Sequence, residues 1–461
     1  MTQRLVVIGG DAAGMSAASQ ARRQRGPDDL EIIALERGAD TSYAACGIPY
    51  WVGGLVGERK DLVARSPERF RSDHAIDVRI RTEATAIDLD QRTVTARDVT
   101  FDTEQVLGYD HLLVATGATP VRPPIPGIDA QGVFGVQTLD DGQAVLDALE
   151  DRRPQRATVI GAGYIGLEMA EAMIQRGLRV DLVEQLPRPM ATIDGDLGER
   201  IADALVDMGI GLHLGVGVTG IDTDDGGWVR TVITEQGELA TDLVVLGTGA
   251  RPNSELGGAA GLPTGARGGL VVDRRQRTPV EGVWAAGDCT QVFHRVTGEP
   301  TAIALGTIAN KQGRVAGVNL GGGYATFPGV LGTAVTKVCG LEIARTGLGE
   351  QEAWDAGFVP VCSTVRSTTR AHYYPGASQA TIKVIAERST GRLLGAQIVS
   401  EEGGAKRIDV FAMALWQGIT VGELAFVDLS YAPPFSPVWD PVLIAARKAA
   451  DAVSADAGGE K

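Results

Sequence analysis

The chain has 461 residues, 44% hydrophobic and 22% charged, which suits about three globular domains with sizeable cores. Its net charge of −15 excludes a broad basic face for nucleic acid or an anionic membrane, while leaving room for a local basic pocket. No apolar run reaches the roughly 18 residues needed to span a bilayer. The four cysteines (46, 289, 339 and 362) form neither a disulfide framework nor a metal pair, so a reducing, cytoplasmic setting without a leader segment or metal site is expected.

The first predicted elements are a buried strand, Leu5-Val6-Val7-Ile8, the turn Gly9-Gly10-Asp11-Ala12-Ala13-Gly14 and a helix of small residues. A second strand from Leu30 ends in Glu36 and Arg37. This is the grammar of a dinucleotide fold, although Asp11 fills the middle glycine position of G-x-G-x-x-G. Gly9, Gly10, Ala13 and Gly14 are candidate cofactor contacts, and Glu36 and Arg37 would stand beside a ribose. About ten residues on, Cys46 sits alone in Thr41-Ser42-Tyr43-Ala44-Ala45-Cys46-Gly47-Ile48-Pro49-Tyr50. Position 51 is Trp51, so no C-x₄-C pair exists and any thiol chemistry here runs on one sulfur.

The proline-rich segment from Ala118 to Gly127 marks a crossing between domains. Beyond it the grammar repeats. Gly161, Gly163 and Gly166 complete G-x-G-x-x-G, with Tyr164 and Ile165 opening the helix and Glu184 closing the second strand. The glycines allow a tight turn, close approach to a pyrophosphate and packing of helix on strand. Glu184 suits a ribose diol and repels a 2′-phosphate, which favours NADH; nearby Arg188 keeps NADPH open. A second crossing lies at residues 247–253. After the glycines at 321–323 the pattern changes to alternating strands, such as residues 379–385, and a helix over residues 408–417.

The expected fold is α/β: two Rossmann-like dinucleotide-binding domains plus a C-terminal α+β dimerisation domain. Residues 1–118 and 249–325 form the first domain, 119–248 the second with its linker, and 326–453 the third. Residues 454–461 read as a disordered tail.

Further segments carry a resemblance. Residues 112–120 contain Ala115-Thr116-Gly117-Ala118-Thr119-Pro120, similar to the A-T-G-x-x-P stretch of two-dinucleotide flavoproteins. Residues 278–288 are similar to their second flavin motif, ending in Asp288. With the Cys46 segment, residues 372–376, residues 406–410 and Tyr431-Ala432-Pro433-Pro434-Phe435-Ser436-Pro437, nearly the whole chain resembles the single-cysteine pyridine nucleotide-disulfide oxidoreductases. By motif it is most similar to the coenzyme A-disulfide reductases.

The resemblance implies FAD held through the first fingerprint, Thr116, Gly117 and Asp288, and NADH held through the second. A helix from about Gly306 would aim its N-terminus at the flavin. Cys46 would form a mixed disulfide with a small thiol of CoA type, its thiolate favoured by a helix N-terminus and the flavin. Ser42 and Arg22 would bind substrate. Tyr373 and Tyr431 would approach Cys46 from the partner subunit of a homodimer with shared sites. Alternatives are an NADH oxidase or peroxidase cycling through a Cys46 sulfenic acid, and a CoA persulfide or polysulfide reductase. The first glycine turn lacks the His usual in the peroxidase-type enzymes, and Ala45 stands where CoA-disulfide reductases often carry Asn. A flavin-bearing binding protein is disfavoured by the cysteine motif. Glutathione- or lipoamide-type chemistry is disfavoured by the missing cysteine pair.

Overall fold

The computed structural model describes residues 2–458. The first unit runs through β1 (Gln3–Ile8), α1 (Ala12–Gln24), β2 (Leu30–Leu35), a 3₁₀ turn (Ala45–Gly47), α2 (Ile48–Gly53), β3 (Ile76–Arg79) and β4 (His111–Val114). The second contains β5 (Val133–Gly135), β6 (Arg156–Ile160), α3 (Tyr164–Gln175), β7 (Arg179–Glu184), α4 (Gly195–Asp207), β8 (Gly211–Leu214) and β9 (Leu243–Leu246). The chain then returns to the first unit with β10 (Val283–Ala285) and α5 (Gly306–Leu320). The third unit contains β11 (Ala334–Val338), β12 (Leu341–Gly347), β13 (Pro360–Thr368), β14 (Gln379–Glu387), β15 (Leu393–Ser400), α6 (Ile408–Gln417) and α7 (Pro441–Gly458).

The first two units share one topology. Their parallel sheets have the orders β3-β2-β1-β4-β10 and β8-β7-β6-β9-β5, with the fingerprint strand central in each. Both faces of such a sheet are covered, which explains the unbroken apolar runs: Leu5, Val6 and Val7 are fully buried, as are Val244 and Val245. The two crossings pair with each other, Ala118–Pro120 running antiparallel to Ala250–Pro252. The third unit is an antiparallel sheet ordered β11-β12-β15-β14-β13 with helices against it. Thus the fold is two Rossmann-like layers and an α+β unit.

α5 lies against α1 because glycines leave room for it. A Cβ on Gly313 would come within 2.2 Å of the Ala13 carbonyl oxygen, and one on Gly317 within 2.4 Å of that of Ala17. The helix starts at Gly306, where the sequence places it, and runs to Leu320, six residues past the expected end at Arg314. One expectation is overturned: α7 continues through Gly458, so residues 454–458 are helical rather than a disordered tail, and the rest of that segment lies outside the described residues. Among the described residues no helix is long and apolar enough to cross a membrane.

The second and third units are clamped by charge. The Lys383 side chain on β14 is 6% exposed and meets Asp194, Asp196 and Glu350 at 3.1, 3.0 and 2.9 Å. Arg345 donates to the Thr192 carbonyl at 2.7 Å and pairs with Glu352 at 2.6 Å. Removing the lysine strands the carboxylate of Asp194, while Asp196 and Glu350 can turn to water. A cost of about 1–3 kcal/mol follows, below the full value for a buried pair because of that exposure. Lys383→Met should lower the thermal unfolding midpoint by about 3–8 °C, with Lys383→Arg recovering part of the loss. An unchanged melt would show that the clamp contributes nothing.

Candidate active site

The two fingerprints are wired alike. Gly9 and Gly161 have φ of +111° and +100°, in the region that favours glycine. A Cβ on Gly14 would come 1.9 Å from the Gly9 oxygen, and one on Gly166 equally close to that of Gly161, so each helix can sit on its strand only as glycine. Glu36 accepts the N–H groups of Gly10 and Gly38 at 2.8 and 2.7 Å. Glu184 accepts those of Ala162 and Leu186 at 2.8 and 2.9 Å. Each acid therefore closes its glycine turn while standing where the sequence puts a ribose. Arg37 beside Glu36 is exposed, and Ile165 presents an exposed apolar surface at the start of α3.

The residues fit an FAD and a pyridine nucleotide. Neither α1 nor α3 has a side-chain N-cap bond, which leaves their N-terminal N–H groups free for phosphate. Asp288 lies at the start of α5, where the Leu305 N–H reaches it; its Oδ1 is buried without a partner. Burial pushes its carboxyl up to about 6. An orphaned buried acceptor at this position suits a polyol chain. Thr116 and Gly117 are locked to the second crossing: Thr116 Oγ1 donates to the Asn253 carbonyl at 2.5 Å, and the Asn253 N–H to the Gly117 carbonyl at 2.9 Å.

Cys46 occupies the 3₁₀ turn ahead of α2 and is exposed. The segment leading to it is fastened to the first fingerprint. Thr41 Oγ1 and the Ser42 N–H both donate to the Gly10 carbonyl, and the Tyr43 N–H donates to Asp11 Oδ1 at 3.1 Å. α2 is instead held by the second unit: Ile48, Trp51 and Val52 share a core with Ala172 and Met173, and Arg176 Nε donates to the Val52 carbonyl at 2.5 Å. The expected thiolate stabilisation does not come from the protein groups around the sulfur, which act in the opposite sense. Although solvent reaches the sulfur, the surrounding bulk and the carboxyls of Glu168, Asp288 and Asp11 push the thiol pKa up. α2 has only six residues, too short a dipole to outweigh them. Glu168, which the sequence reading missed, lies on α3 two residues beyond the last fingerprint glycine and accepts from Thr336 Oγ1 at 2.8 Å.

Arg22 is not where it was expected. Its guanidinium donates to the carbonyls of Arg25 and Ala75 at 3.1 and 3.0 Å, away from Ser42. Arg23, with Ser42, Arg65 and Arg314, lines a cleft of about 350 Å³. From α1, Ala12, Met15, Ser16, Ser19, Gln20 and Arg23 line it. Helical spacing alone admits Arg22 as well as Arg23, and it is the two carbonyl bonds of Arg22 that turn its guanidinium elsewhere.

Tyr373 and Tyr431 are brought together. They are 66% and 46% exposed, and a hydrogen bond to Tyr373 pushes the Tyr431 pKa up. Around them Phe426, Phe435, Val438 and Trp439 are also exposed, an apolar surface of the kind that marks an interface.

Two dinucleotide folds flanking a lone thiol define a nucleotide-dependent oxidoreductase. The chain belongs to the pyridine nucleotide-disulphide oxidoreductase family: the family model matches residues 3–313, and that of its dimerisation domain residues 333–441. It is 39% identical over 444 residues to an NAD(P)H sulfur oxidoreductase (CoA-dependent) of Pyrococcus abyssi, covering 96% of this chain and 97% of the relative. It is 37% identical over 448 residues to an NADH oxidase of Methanocaldococcus jannaschii, covering 97% and 98%. The crystal structure of reduced Bacillus anthracis CoADR-RHD superposes with a TM-score of 0.95 at 34% identity, covering 99% of this chain and 81% of that one.

A Cβ on Gly163 would meet nothing closer than the Gly247 oxygen at 3.8 Å, whereas Gly166 has no such space. Gly163→Ala should therefore fold normally while raising the NADH KM about 10-fold by blocking the pyrophosphate approach. Gly166→Ala should lower the melting temperature as well. Steady-state kinetics and a thermal melt separate the two, and an unchanged KM for Gly163→Ala would remove that residue from the nucleotide site.

Proposed function

We propose that this protein, an FAD-dependent NAD(P)H oxidoreductase, reduces a low-molecular-weight disulfide of CoA type through Cys46 alone. The observation that carries the reading is the basic cleft running to the cysteine segment: Ser42 lines it four residues before the thiol. In a chain of net charge −15, three guanidinium groups in one cleft suit a polyanionic nucleotide. Arg23 and Arg65 also bear together on His74, pushing its pKa down after burial does.

Glu36 and Glu184 shape the two turns for FAD and NADH respectively, with Glu184 favouring NADH over NADPH. When bound, the FAD relays the electron pair of the NADH hydride to the sulfurs at Cys46. Cys46 Sγ and one substrate sulfur form the mixed disulfide; its reduction frees one thiol and leaves Cys46 as thiolate. That thiolate attacks the next disulfide and expels the second thiolate, which takes a proton. The balance is NADH, a proton and one disulfide giving NAD⁺ and two thiols. The exposed, paired tyrosines suit donation to the leaving thiolate across a dimer interface, the partner subunit's Tyr431 serving each Cys46.

Persulfide reduction uses the same cleft and thiol. Oxygen reduction by a Cys46 sulfenic acid does not need the arginines. The deciding experiment is NADH consumption with CoA disulfide, with CoA persulfide and with oxygen alone; turnover confined to oxygen would overturn the disulfide reading.

Arg23→Ala should raise the KM for CoA disulfide about 10-fold or more, the worth of one charge-assisted phosphate contact. Arg22→Ala should change it less than 2-fold. The reverse order would return Arg22 to the site.

Cys46→Ser should keep flavin reduction by NADH and lose disulfide turnover, read by stopped-flow and steady-state assays. Co-expressed with Tyr431→Phe chains, it should give a mixed dimer with one intact site and about half the parent activity if the tyrosine acts across subunits. Activity no higher than that of the Tyr431→Phe dimer would exclude sharing.

A further inference from the structure

The internal repeat isolates one residue. Gly10 corresponds to Ala162, since each donates its N–H to the acid at the end of the second strand. Ser42 corresponds to Met190: both have φ of 52°, and their N–H groups donate to the carbonyls of Gly10 and Ala162. Asp11 then corresponds to Gly163, and both are extended helix N-cap residues, with φ of −115° and −83°. The open space around Gly163 shows that a side chain fits at this point of the turn. Only the unit that carries the thiol fills it with a carboxylate.

That carboxylate does not make the side-chain bond of an ordinary N-cap across the first turn of α1. Its Oδ1 turns to the Tyr43 N–H, the residue after Ser42 and three before Cys46. We propose that Asp11 is a positioning residue for Cys46: it anchors the backbone leading into the cysteine turn and stands as a carboxylate at the head of α1 beside that turn. The proposal rests on the reading of Cys46 as the redox thiol.

The electrostatics agree in sign. Burial, with Glu36 and Asp288 beside it, pushes Asp11 up to about 6. Facing Cys46 are Glu168 from α3, Asp288 after β10 and Asp11 at the head of α1; Tyr50 of α2 also feels the thiol. With Asp11 pushed up only to about 6 and Cys46 pushed above the ordinary thiol value, Asp11 is the ionised neighbour as Cys46 loses its proton. Removing its charge should lower the pH at which the thiolate forms, by less than removal of Glu168 or Asp288.

The test uses FAD-loaded enzyme and two variants. Asp11→Asn keeps an acceptor for Tyr43 without the charge; Asp11→Ala removes both. Iodoacetamide labelling of the Cys46 peptide, followed by mass spectrometry across pH, should show a midpoint lower by about 0.5–1 unit in both variants. Hydrogen exchange of the 41–47 peptide should be faster in Asp11→Ala and as in the parent for Asp11→Asn. FAD per chain should be unchanged in Asp11→Asn. An unmoved midpoint overturns the electrostatic role, and equal exchange in all three proteins overturns the anchoring role. Loss of FAD from Asp11→Asn overturns the proposal in favour of cofactor binding. None of these readouts requires disulfide turnover, so failure of the proposal is distinct from failure of the reductase reading.

Discussion

The site depends on the packing of α3 against α2. α3 begins on the second glycine turn, seated there by the 1.9 Å approach that permits only Gly166. Its buried side, Met169, Ala170, Ala172 and Met173, continues into the core that contains Ile48, Trp51 and Val52. Burying side chains of that size contributes about 1.5–3 kcal/mol each. Gly53 brings the helices close, a Cβ there lying 3.3 Å from the Ala172 Cα. On its far side α3 meets the third unit through Glu168 with Thr336 and Glu171 with Lys337. One helix thus ties the nucleotide turn, the cysteine helix and the third unit together. A displacement of α3 large enough to open its turn would carry the thiol with it.

The cysteine is held from both sides of the domain boundary. Residues 41–43 are bonded to the first glycine turn, and α2 is packed in the second unit. The thiol therefore sits where the two repeats meet, outside the carboxyl ends of their strands, the usual ligand position in such sheets. The basic cleft is lined by α1 together with Ser42 of the cysteine segment. Its charge is opposite to that of the whole molecule, so an anionic substrate of the kind proposed would feel little long-range attraction and would be recognised locally, within about a Debye length of 8–10 Å.

The sequence made the repeated units readable because their glycine contacts are local: turn, helix and acid lie within some 25 residues. The cysteine segment and the helix at 408–417 were readable for the same reason. The choice between Arg22 and Arg23 was not readable, because helical spacing admits both and only the bonds of Arg22 to the Arg25 and Ala75 carbonyls distinguish them. Glu168 was hidden because its relation to Cys46 spans more than a hundred residues and arises only from α3 packing on α2. Tyr373 and Tyr431 meet through the fold of the third unit, which no local pattern encodes. The helix runs on into residues 454–458 because it is a continuation of α7, whose preceding turns carry Ala445, Ala446, Ala449 and Ala450 and need no new nucleus.

The acidic surroundings of Cys46 bear on which state of the sulfur the chain favours. A thiolate beside Glu168, Asp288 and Asp11 is repelled by every carboxylate that is ionised; a thiol or a mixed disulfide carries no charge and is not. The protein portion of the site therefore shifts the balance from free thiolate towards the disulfide-bound form, by 1.4 kcal/mol for about each tenfold change in that equilibrium. For chemistry on one sulfur this direction is useful. An enzyme with two cysteines can rest as an internal disulfide, whereas a lone thiolate open to solvent is exposed to oxidation towards sulfinic acid. In the redox role proposed for Cys46, surroundings that disfavour the thiolate would slow that oxidation between turnovers. They do so without blocking attack, since a thiol of higher pKa is the stronger nucleophile once ionised.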